Sequence, residues 1–401
     1  MLLGGLHFLI PVIEKAHELG LYVITCDYLP QNPAHHYSDE YVNASIMDRD
    51  AVLAAARRLQ IDGIMSYAVD PGVVTAAYVQ QEMGLPAVGP LASVETLQHK
   101  DLFRQFLSTH GFNCPKSRGY NDLDKARRDL RQEWQMPVII KPVDSAGSKG
   151  VTRVNDLSQA EDALRYAHDC SHCGRIIIEE FLDIRTQSSS DIVVQDGRVV
   201  HATYSTEYYE EATQSQTPFA AVFPSDMTTA ETEELTSELQ RLVDLLGIRS
   251  TVMNIDACAT HDGRTYIIEA SPRGGGNRLG EVGGLATGLN ALDVAIRLAM
   301  GMETGPIEQQ PYNGHWALAI LHSRQTGQLR KVNVLPPFDQ RIVMTHCWVK
   351  PGDYITSYKA ADTAIGLMFL HFKDQTEREL YCRSAMETIQ IIVEPDTTNN
   401  Q

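Results

Sequence analysis

The sequence predicts a protein of the α/β and α+β classes, built from more than one domain. Strand-like and helix-like segments alternate over residues 1–92, which is typical of a parallel sheet with helices on both faces. Short strands with one helix follow from residue 306 onward, which is typical of an α+β arrangement. With 401 residues, of which 43% are hydrophobic, the chain is long enough to form several hydrophobic cores.

The N-terminal segment contains two predicted strands and two predicted helices. The strands are Leu21–Cys26 and Gly63–Tyr67, and the helices are Ala51–Leu59 and Gly72–Met83. Ligands of such a sheet bind beyond the carboxyl ends of its strands. Polar residues near these ends are candidate substrate contacts, although turn or surface roles explain each of them equally well: His7, Asp27 and Asp70. A complete G-x-G-x-x-G is lacking, so we do not expect NAD binding.

Composition and charge argue against several classes of protein. The formal net charge of −17, from 34 Lys and Arg against 51 Asp and Glu, argues against general nucleic-acid binding, which needs a basic face. No apolar run is long enough to cross a bilayer, and the first residues lack the pattern of a signal peptide. Seven scattered cysteines do not resemble a disulfide framework. We therefore expect a cytoplasmic protein without a nucleic-acid or membrane partner.

Four potential metal ligands lie in one short segment: His168, Cys170, His172 and Cys173. A zinc site needs four ligands at tetrahedral corners, which adjacent residues of a short loop cannot easily supply. The sequence offers no second cluster with zinc-site spacing. We expect a surface loop here rather than a metal site.

The rest of the chain is expected to form two further domains. Pro86–Pro90 is typical of a linker, and a helix with an apolar stripe is predicted at Thr96–Leu107, which includes Lys100. We place the domains at 1–92, 93–305 and 306–401, with a subdomain at about 115–185 inside the second. A helix is predicted at Thr376–Met386, and residues 397–401 are expected to fray.

The most informative part of the sequence predicts a β-hairpin. The strand-like runs Met253–Ala259 and Thr265–Ser271 flank Asp262-Gly263, a dipeptide typical of a two-residue turn. This turn places four side chains on one face in two opposed pairs: Asp256 with Glu269, and Asn254 with Ser271. The other face is apolar and is expected to pack on the core: Ile255, Ala257, Ile268 and Ala270.

The pairing of Asp256 with Glu269 predicts a cation between them. Opposed side chains lie ~4.5–5.5 Å apart at Cβ, where like charges repel each other. Carboxylate oxygens suit Mg²⁺, which also binds substrate phosphates. A solvent-facing acidic pair, neutralised by Arg264 or a lysine, is the alternative interpretation.

A glycine-rich segment flanked by arginines follows this hairpin. Gly274–Gly276 allows the backbone to approach a ligand closely, and Arg273 and Arg278 lie on either side. Arginine beside two metal-binding carboxylates is suited to hold a phosphoryl group during transfer. Neutralisation of Glu269 or Glu281 would also explain one of these arginines.

Two upstream segments are suited to nucleotide binding, although the second, Glu179–Leu182, is taken alone more often simply the end of a strand. The strand Pro137–Pro142 carries Lys141, which is costly to bury without a partner. The small, flexible loop 144–150 follows it and is suited to cover phosphates as a mobile lid. The strand that ends at Glu179–Leu182 offers backbone groups for an adenine edge and apolar contact from Phe181.

The order of these motifs resembles the ATP-grasp superfamily. The motifs are, in chain order, Lys100, Lys141 with its glycine-rich loop, Glu179-Glu180-Phe181-Leu182, Asp256, and Glu269-Ala270-Ser271-Pro272-Arg273. The resemblance extends over about residues 1–390. It implies an ATP-grasp fold with a Rossmann-like pre-ATP-grasp domain at 1–92, an ATP-grasp domain at 93–305 and a C-terminal α+β cap at 306–401. The phosphate lid would lie within about 115–185.

The resemblance also implies roles for individual residues. Those implied to bind ATP are Lys100, Lys141, Ser145, Gly147, Ser148, Glu179, Glu180, Phe181 and Leu182, and those implied to bind metal are Asp256, Glu269 and Ser271. Arg273 and Lys141 are the implied catalytic residues, and the implied cofactors are ATP and Mg²⁺, with Mn²⁺ as an alternative metal. Two positions depart from the family: Ser271 replaces the usual Asn, and Gln187 or Asp183 is expected to replace a ribose-binding Glu.

The implied activity is ATP-dependent ligation of a carboxylate to an amine through an acyl phosphate, with release of ADP and phosphate. The segment Pro272–Asn277 and the cap are most similar to amino-acid and peptide ligases of the carbamoyl-phosphate-synthetase-like branch. One alternative is a carboxylating enzyme that uses bicarbonate through carboxyphosphate. Another is a nucleotide-binding module without turnover, which would be expected to lack Lys141, Glu269 or Arg273.

The expected partners are a small-molecule carboxylate and a small-molecule amine. Residues of the grasp region are candidates to contact them, with packing or surface roles as equal alternatives: Tyr208, Arg278 and Glu281. A homodimer is expected by analogy with relatives.

Overall fold

The computed structural model describes residues 1–209, 218–358 and 363–395. The predicted fraying at 397–401 lies outside these residues. The described strands form five sheets, with helices between and around them. This mixture confirms the predicted α/β and α+β classes.

The N-terminal sheet is parallel. Its strands are β1 (Leu2–Leu3), β2 (Ile24–Asp27), β3 (Glu40–Asn43) and β4 (Met65–Ser66), and its helices are α1 (Ile10–Glu18), α2 (Arg49–Leu59) and α3 (Asp70–Met83). The strand order is β3-β2-β1-β4, with parallel pairing throughout. Strands β2 and β4 are shorter than the predicted strands Leu21–Cys26 and Gly63–Tyr67. Asp70 is the first residue of α3, where the helix dipole favours a carboxylate.

The predicted single helix Thr96–Leu107 is wrong. The chain forms α4 (Leu91–Gln98) and α5 (Lys100–Thr109), because His99 between them has an extended backbone with φ −110° and ψ 109°. The amide of Lys100 leaves the helical pattern and donates to the carbonyl of Val143 at 2.9 Å. The apolar stripe continues across the break into one core, so hydrophobic periodicity did not reveal it.

A separate antiparallel sheet follows α5. Its elements are β5 (Ser117–Tyr120), α6 (Leu123–Gln132), β6 (Val138–Pro142), β7 (Thr152–Val154), α7 (Ala160–Cys170) and β8 (Ile176–Glu180). The strand order is β5-β8-β6-β7. The sheet and its helices enclose their own core, which includes Ile140, Leu164 and Ile178. Lys141 and Glu179 therefore lie on adjacent strands.

The central region contains the strands that carry the acidic pair. Its elements are β9 (Ile184–Gln195), β10 (Arg198–Tyr204), β11 (Thr206–Tyr209), β12 (Pro218–Phe223), α8 (Thr229–Leu246), β13 (Thr251–Thr260), β14 (Thr265–Ser271), α9 (Leu279–Thr287) and α10 (Ala291–Ala299). One sheet has the order β10-β9-β13-β14. Helix α8 covers one face of it, with Leu235, Leu239 and Ile255 in a shared core. The opposite face is left for polar side chains.

The C-terminal region completes two sheets. Its elements are β15 (His315–Leu321), β16 (Gly327–Val334), β17 (Ile342–Cys347), β18 (Tyr354–Ile355), β19 (Gly366–Phe372), α11 (Gln375–Thr388) and β20 (Ile389–Pro395). Strands β15, β19 and β17 extend a sheet that begins with β11 and β12, and β16 pairs with β18 and β20. The boundary predicted between 305 and 306 is therefore not a boundary between sheets, and the division into domains stays a prediction.

Among the described residues, no single helix is both long enough and apolar enough to cross a membrane. Helices α9 and α10 pass that test only together, and they are bent by 116° at the break between them.

Candidate active site

Four polar side chains of the β13–β14 hairpin face each other in the predicted pairs. Asp256 lies opposite Glu269, and Asn254 lies opposite Ser271. Their side chains share one face of the sheet because residues two apart on a strand point the same way. This face is the one not covered by α8.

A β-bulge in the hairpin corrects one detail of the prediction. The pairing shifts by one residue after Asp256, so that Ala257 lies opposite Ile267. Ile267 is consequently buried in the core, whereas Ile268, predicted for that position, is half-buried. The carbonyl of Ile268 instead accepts a hydrogen bond from Nη1 of Arg104 at 2.7 Å.

Strand β9 lies next to β13 and adds one polar residue beside each of the two pairs. Ser189 lies opposite Asp256, and Asp191 lies opposite Asn254. The first row therefore consists of Ser189, Asp256 and Glu269, and the second row consists of Asp191, Asn254 and Ser271. The rows are ~7 Å apart along the strands. Gln187, two residues before Ser189 and opposite Cys258, lies on the same face beyond the first row.

The first row places two like charges together. Burial raises the pKa of Asp256, and the negative charge of Glu269 raises it further. Nζ of Lys100 lies 3.0 Å from Oε1 of Glu269, so part of the predicted positive charge is a lysine. Two carboxylates that are only partly neutralised fit an oxygen-preferring divalent cation such as Mg²⁺.

The protein ligands of such an ion would be few. Within residues 1–209, 218–358 and 363–395, no group of three or more His, Cys, Asp and Glu side chains is arranged to hold a metal. Mg²⁺ commonly takes one or two carboxylates from a protein and its remaining ligands from phosphates and water. The pair Asp256 and Glu269 matches this requirement.

Lys100 connects the acidic pair to the glycine-rich loop. Its Nζ donates to the carbonyl of Ser145 at 2.9 Å. The hydroxyl of Ser145 donates to the carbonyl of Lys149 at 2.7 Å, and Gly147 and Ser148 have left-handed φ values of 66° and 60°. The predicted lid residues therefore lie beside the first row.

Asp144 anchors the start of this loop. Its Oδ1 accepts from the hydroxyl of Ser171 at 2.8 Å and from the amide of His172 at 3.1 Å. Its Oδ2 accepts from the amide of Cys173 at 2.8 Å. The segment singled out for its histidines and cysteines thus holds the base of the loop through backbone amides and one hydroxyl.

Glu179 forms two buried ion pairs, one with Lys141 and one with Arg104. Nζ of Lys141 lies 2.9 Å from Oε2 of Glu179, and Nε of Arg104 lies 2.8 Å from Oε1. Burial alone would raise the pKa of Glu179, but the charges of Arg104 and Lys141 outweigh it and hold the pKa at about 2. Both carboxylate oxygens of Glu179 therefore face cations, and the implied role of Glu179 in ATP binding stays a prediction. Sequence reasoning missed Arg104, whose orientation depends on the break at His99.

The other residues predicted to contact adenine, Glu180 to Leu182, are exposed or half-buried. The carboxylate of Glu180 accepts from the amide of Lys116 at 2.8 Å. The guanidinium of Arg153 lies 3.9 Å from the centre of the Phe181 ring. Phe181 and Leu182 line a surface cavity, which leaves them available for an apolar ligand.

Arg273 is held by residues from two parts of the chain. Its Nε and Nη2 donate to Oδ1 and Oδ2 of Asp70 at 2.9 and 2.6 Å. Its Nη1 donates to Oδ1 of Asn254 and to the carbonyl of Gly274, each at 3.0 Å. The hydroxyl of Ser271 also donates to Asp70 at 2.9 Å. Asp70, predicted as a substrate contact, therefore binds two of the site's own residues.

These groups line one cleft between the N-terminal segment and the hairpin. The cleft has a volume of about 210 Å³. Its polar lining includes Arg49, Asp70, Lys100, Ser145, Asp256, Glu269, Ser271 and Arg273. Residues predicted separately as phosphate, metal and catalytic groups are thus brought to a single place.

The predicted substrate residues His7, Arg278 and Glu281 lie in contacts that include Trp348 and His346 of the C-terminal region. The ring of His7 packs against the ring of Trp348, with centroids 4.0 Å apart and ring planes tilted by 33°. Nε of Arg278 lies 3.2 Å from Oε1 of Glu281, and its Nη1 contacts Nε2 of His346. Burial lowers the pKa of His7, and the charge of Arg278 lowers it further. Trp348 and His346 were missed, because nothing local in the sequence connects them to the grasp region.

Tyr208 and Asp27 lie away from the cleft, which corrects their assignment as substrate contacts. The hydroxyl of Tyr208 donates to Oδ2 of Asp226 at 2.8 Å, and its ring packs against the C-terminal core. Asp27 is buried, and its Oδ1 accepts from the amide of Leu29 at 2.8 Å. Asp27 therefore stabilises the turn after β2.

Glu207 is a carboxylate near the first row that sequence reasoning missed. The hydroxyl of Tyr209 donates to its Oε2 at 2.6 Å. Burial raises the pKa of Glu207, and the charge of Asp256 raises it further. The alternation of Glu207 with Tyr209 in a short strand was the only signal available in the sequence.

The comparisons with known proteins match the part of the chain that contains most of this site. Residues 97–277 match the family model described as ATP-grasp domain. Just under half of the chain is therefore similar to an ATP-grasp domain. This segment contains Lys100, Lys141 and the complete β13–β14 hairpin.

Curated relatives match parts of their own length. Over 183 residues the chain is 28% identical to phosphoribosylamine–glycine ligase of Haemophilus influenzae, which covers 44% of this chain and 42% of the relative. Over 225 residues it is 26% identical to the carbamoyl phosphate synthase large chain of Thermotoga neapolitana, which covers 55% of this chain and 20% of the relative. The chain thus spans less than half the length of these relatives.

Solved structures match over almost the whole chain. The L-amino acid ligase of Bacillus licheniformis superposes with a TM-score of 0.80 at 19% identity, and each chain is covered to 98%. The phosphoribosylglycinamide synthetase of Anaerococcus prevotii superposes with a TM-score of 0.75 at 18% identity and the same coverage. These matches confirm the predicted ATP-grasp fold.

Proposed function

We propose that this protein is an ATP-dependent ligase that joins a carboxylate to an amine through an acyl phosphate and releases ADP and phosphate. The observation that carries the proposal is the cleft in which Lys100, the acidic pair Asp256 and Glu269, and Arg273 converge. A lysine, two carboxylates and an arginine in one cleft suit phosphoryl transfer, in which catalysis consists of positioning and charge neutralisation.

The phosphates of ATP would bind between Lys100 and the loop 144–150. Lys100 already contacts Ser145 in that loop and Glu269 in the first row. Lys141 lies deeper, and its charge is shared with Glu179. Lys141 would therefore act on the phosphates partly through its charge. It would also hold Glu179 in place at the start of the segment predicted to contact adenine.

Mg²⁺ would be held by Asp256 and Glu269, with the Ser271 hydroxyl nearby as a further oxygen ligand. When bound, Mg²⁺ would neutralise phosphate charge during the transfer. The hydroxyl of Ser271 donates its proton to Asp70 and accepts from Nε2 of Gln98 at 2.9 Å, which leaves one lone pair of its oxygen for a metal ion.

Arg273 would lie next to the phosphoryl group being transferred. Its guanidinium makes four hydrogen bonds to protein groups, so it can act through its charge without being displaced. Direct contact with the acyl phosphate would require exchange of one bond, and the bonds of Nη1 to the neutral acceptors of Asn254 and Gly274 cost less to exchange than those to the Asp70 carboxylate.

The names of the relatives support a ligase. Phosphoribosylamine–glycine ligase and L-amino acid ligase are both named for ligation. The L-amino acid ligase superposes over 98% of this chain, which supports an amino acid as one of the two substrates here.

The test is nucleotide product analysis with Mg-ATP and pools of amino acids, other carboxylates, amines and bicarbonate. We expect ADP and phosphate only when a carboxylate and an amine are both present. Glu269→Gln should abolish the reaction, whereas Glu233→Gln, an exposed change on α8, should leave it intact. ADP formed with bicarbonate and an amine would favour the carboxylating alternative. AMP and pyrophosphate would contradict the acyl-phosphate proposal.

A further inference from the structure

We propose that Arg49 binds a non-reacting anionic group, a carboxylate or a phosphate, of one of the two substrates. The proposal rests on the ligase function proposed above and adds a class of substrate: a molecule with a negative charge several bonds away from the group that reacts. Arg49 is not among the residues that the sequence predicted for ATP, metal or substrate. It lines the same cleft as Asp256, Glu269 and Arg273, so a molecule in that cleft can reach it.

Arg49 has hydrogen-bond donors available in the cleft. Its side chain is 40% exposed, and its Nη2 donates to Oε1 of Glu95 on α4 at 2.8 Å. Among the residues that the structure describes, no other nitrogen of this guanidinium makes a hydrogen bond. A guanidinium carries five N–H donors in a planar fork. Most of them therefore remain for a carboxylate or a phosphate, whose oxygens match that fork.

The other arginine and the lysine that line the cleft in the described part of the chain are already paired. Nζ of Lys100 contacts Glu269 and the carbonyl of Ser145. Arg273 makes four hydrogen bonds to protein groups. An additional anion that enters the cleft therefore meets Arg49 as the cation that has to give up the fewest bonds.

Helix α3 gives the distance between Arg49 and the reacting centre. Asp70, Val74 and Tyr78 are spaced four residues apart, so they lie on one side of this helix. Asp70 binds Arg273, and Cζ of Arg49 lies 5.9 Å from the centre of the Tyr78 ring. At about 1.5 Å per residue, the helix between Asp70 and Tyr78 spans ~12 Å. A group bound to Arg49 thus lies on the order of 10 Å from a group held beside Arg273.

The cleft lining on this side is mostly apolar. Helix α3 contributes Pro71, Val74 and Thr75, and Met47 and Leu97 add further apolar surface. An apolar wall with one hydroxyl suits a hydrocarbon chain and offers few partners to polar groups along it. The substrate that reaches Arg49 is therefore a carboxylate or an amine in which an apolar chain separates the reacting group from the anionic one.

The test uses two series of probes in which the distant charge is present or absent. The carboxylate series compares glutarate and adipate with butyrate and valerate, with hydroxylamine added to trap the acyl phosphate. The amine series compares O-phosphoethanolamine and 3-aminopropylphosphonate with ethanolamine and propylamine, in the presence of a pool of carboxylates. ADP release from Mg-ATP is measured in both series. The series in which the wild type prefers the members with the distant charge identifies the substrate that carries the anion.

Arg49→Gln should remove that preference. We expect the KM for the probes with the distant charge to rise ~10-fold or more, as is typical of a lost charge-assisted hydrogen bond. The KM for the probes without it and the KM for ATP should stay unchanged. Thermal unfolding with Mg-ADP gives a readout that needs no turnover, because a probe that binds the folded protein raises Tm. Probes with the distant charge should raise the Tm of the wild type more than that of Arg49→Gln.

Two further variants separate binding of the anion from a structural role of the ion pair. Glu95→Gln breaks the same ion pair but keeps the cation, so it should keep the preference. Arg58→Gln, an exposed change on the same helix, should match the wild type in every measurement. Equal loss of the preference in Glu95→Gln and Arg49→Gln would overturn the proposal, because Arg49 would then act only as a link between α2 and α4.

Three other outcomes are decisive. A higher KM for ATP in Arg49→Gln would overturn the proposal, because Arg49 would then bind the nucleotide. A wild type that does not distinguish the probes by the distant charge, in turnover or in Tm, would overturn it as well. A wild type that binds the charged probes through Arg49 but releases no ADP with any probe would overturn the ligase function and leave the anion site in place.

Discussion

Asp70 and Arg273 are 203 residues apart in the sequence and form a two-point ion pair, with Nε to Oδ1 at 2.9 Å and Nη2 to Oδ2 at 2.6 Å. The pair joins the start of α3 to the segment after β14. It therefore links the parallel N-terminal sheet to the site. Burial alone would raise the pKa of Asp70, but the charge and hydrogen bonds of Arg273 lower it.

The first prediction concerns the stability that this pair provides. Asp70→Asn removes the charge and leaves the mostly buried Arg273 without its counterion. We expect the free energy of unfolding in urea to fall by about 2 kcal/mol. Asp262→Asn breaks the exposed pair with Arg264 at the hairpin turn and should have no measurable effect. An equal loss in both variants would show that the Asp70 pair is no stronger than a surface contact.

The second prediction concerns magnesium. Asp256→Asn removes one of the two carboxylates that face each other in the first row. We expect the Mg²⁺ concentration for half-maximal ADP release to rise about tenfold or more. The same titration on Asp262→Asn serves as the control. An unchanged Mg²⁺ requirement in Asp256→Asn would remove Asp256 from the metal site.

The third prediction concerns acid stability. The folded-state pKa of Glu179 is about 2, below the value of ~4.3 for an unfolded glutamate. The unfolded chain therefore binds the proton first. Stability from Glu179 is present above pH ~4.3 and is lost as the pH falls toward 2.

Urea titrations at several pH values between 5.5 and 2.5 measure this contribution. Glu179→Gln should lose less stability across that range than the wild type, although it starts from a lower value because Lys141 and Arg104 lose their partner. Glu180→Gln, on the exposed neighbour, should keep the wild-type slope. A wild-type slope in Glu179→Gln would contradict the assigned ion pair.

The fourth prediction concerns the glycine-rich loop. Asp144→Ala removes three hydrogen bonds to residues 171–173. We expect the loop to become more mobile, the KM for ATP to rise about tenfold, equivalent to ~1.4 kcal/mol, and kcat to change less. Limited proteolysis should cut the loop faster in the variant. Asp169→Ala on α7 is the matched control, and equal KM values in the two variants would contradict the anchoring role.

Local signals predicted the hairpin and missed the contacts between distant segments. The pairs Asp256–Glu269 and Asn254–Ser271 follow from alternation and a turn dipeptide, which act over a few residues. The register near the turn was wrong by one residue, because Thr260 pairs with Arg264 and the turn therefore has three residues instead of the predicted two. The prediction held at the site only because the bulge lies between the turn and Asp256.

Long-range packing decided the rest. The partner of Glu179 is Arg104, and its orientation depends on the break at His99 that ends α4. Periodicity continues across that break and concealed it. The contacts of His7 with Trp348 and of Asp70 with Arg273 depend on how separate sheets meet, which no local pattern encodes.

The sheet with the order β11-β12-β15-β19-β17 has a consequence for synthesis of the chain. Strand β12 pairs with β15, which leaves the ribosome only after the whole hairpin and helices α8 to α10 have been made. At ~5–20 residues per second this delay is on the order of 10 s. During that time one edge of β12 lacks its partner, and an unpaired strand edge of this kind favours association with other chains until β15 arrives. A chain cut after residue 305 would keep that edge permanently open and would be prone to aggregate.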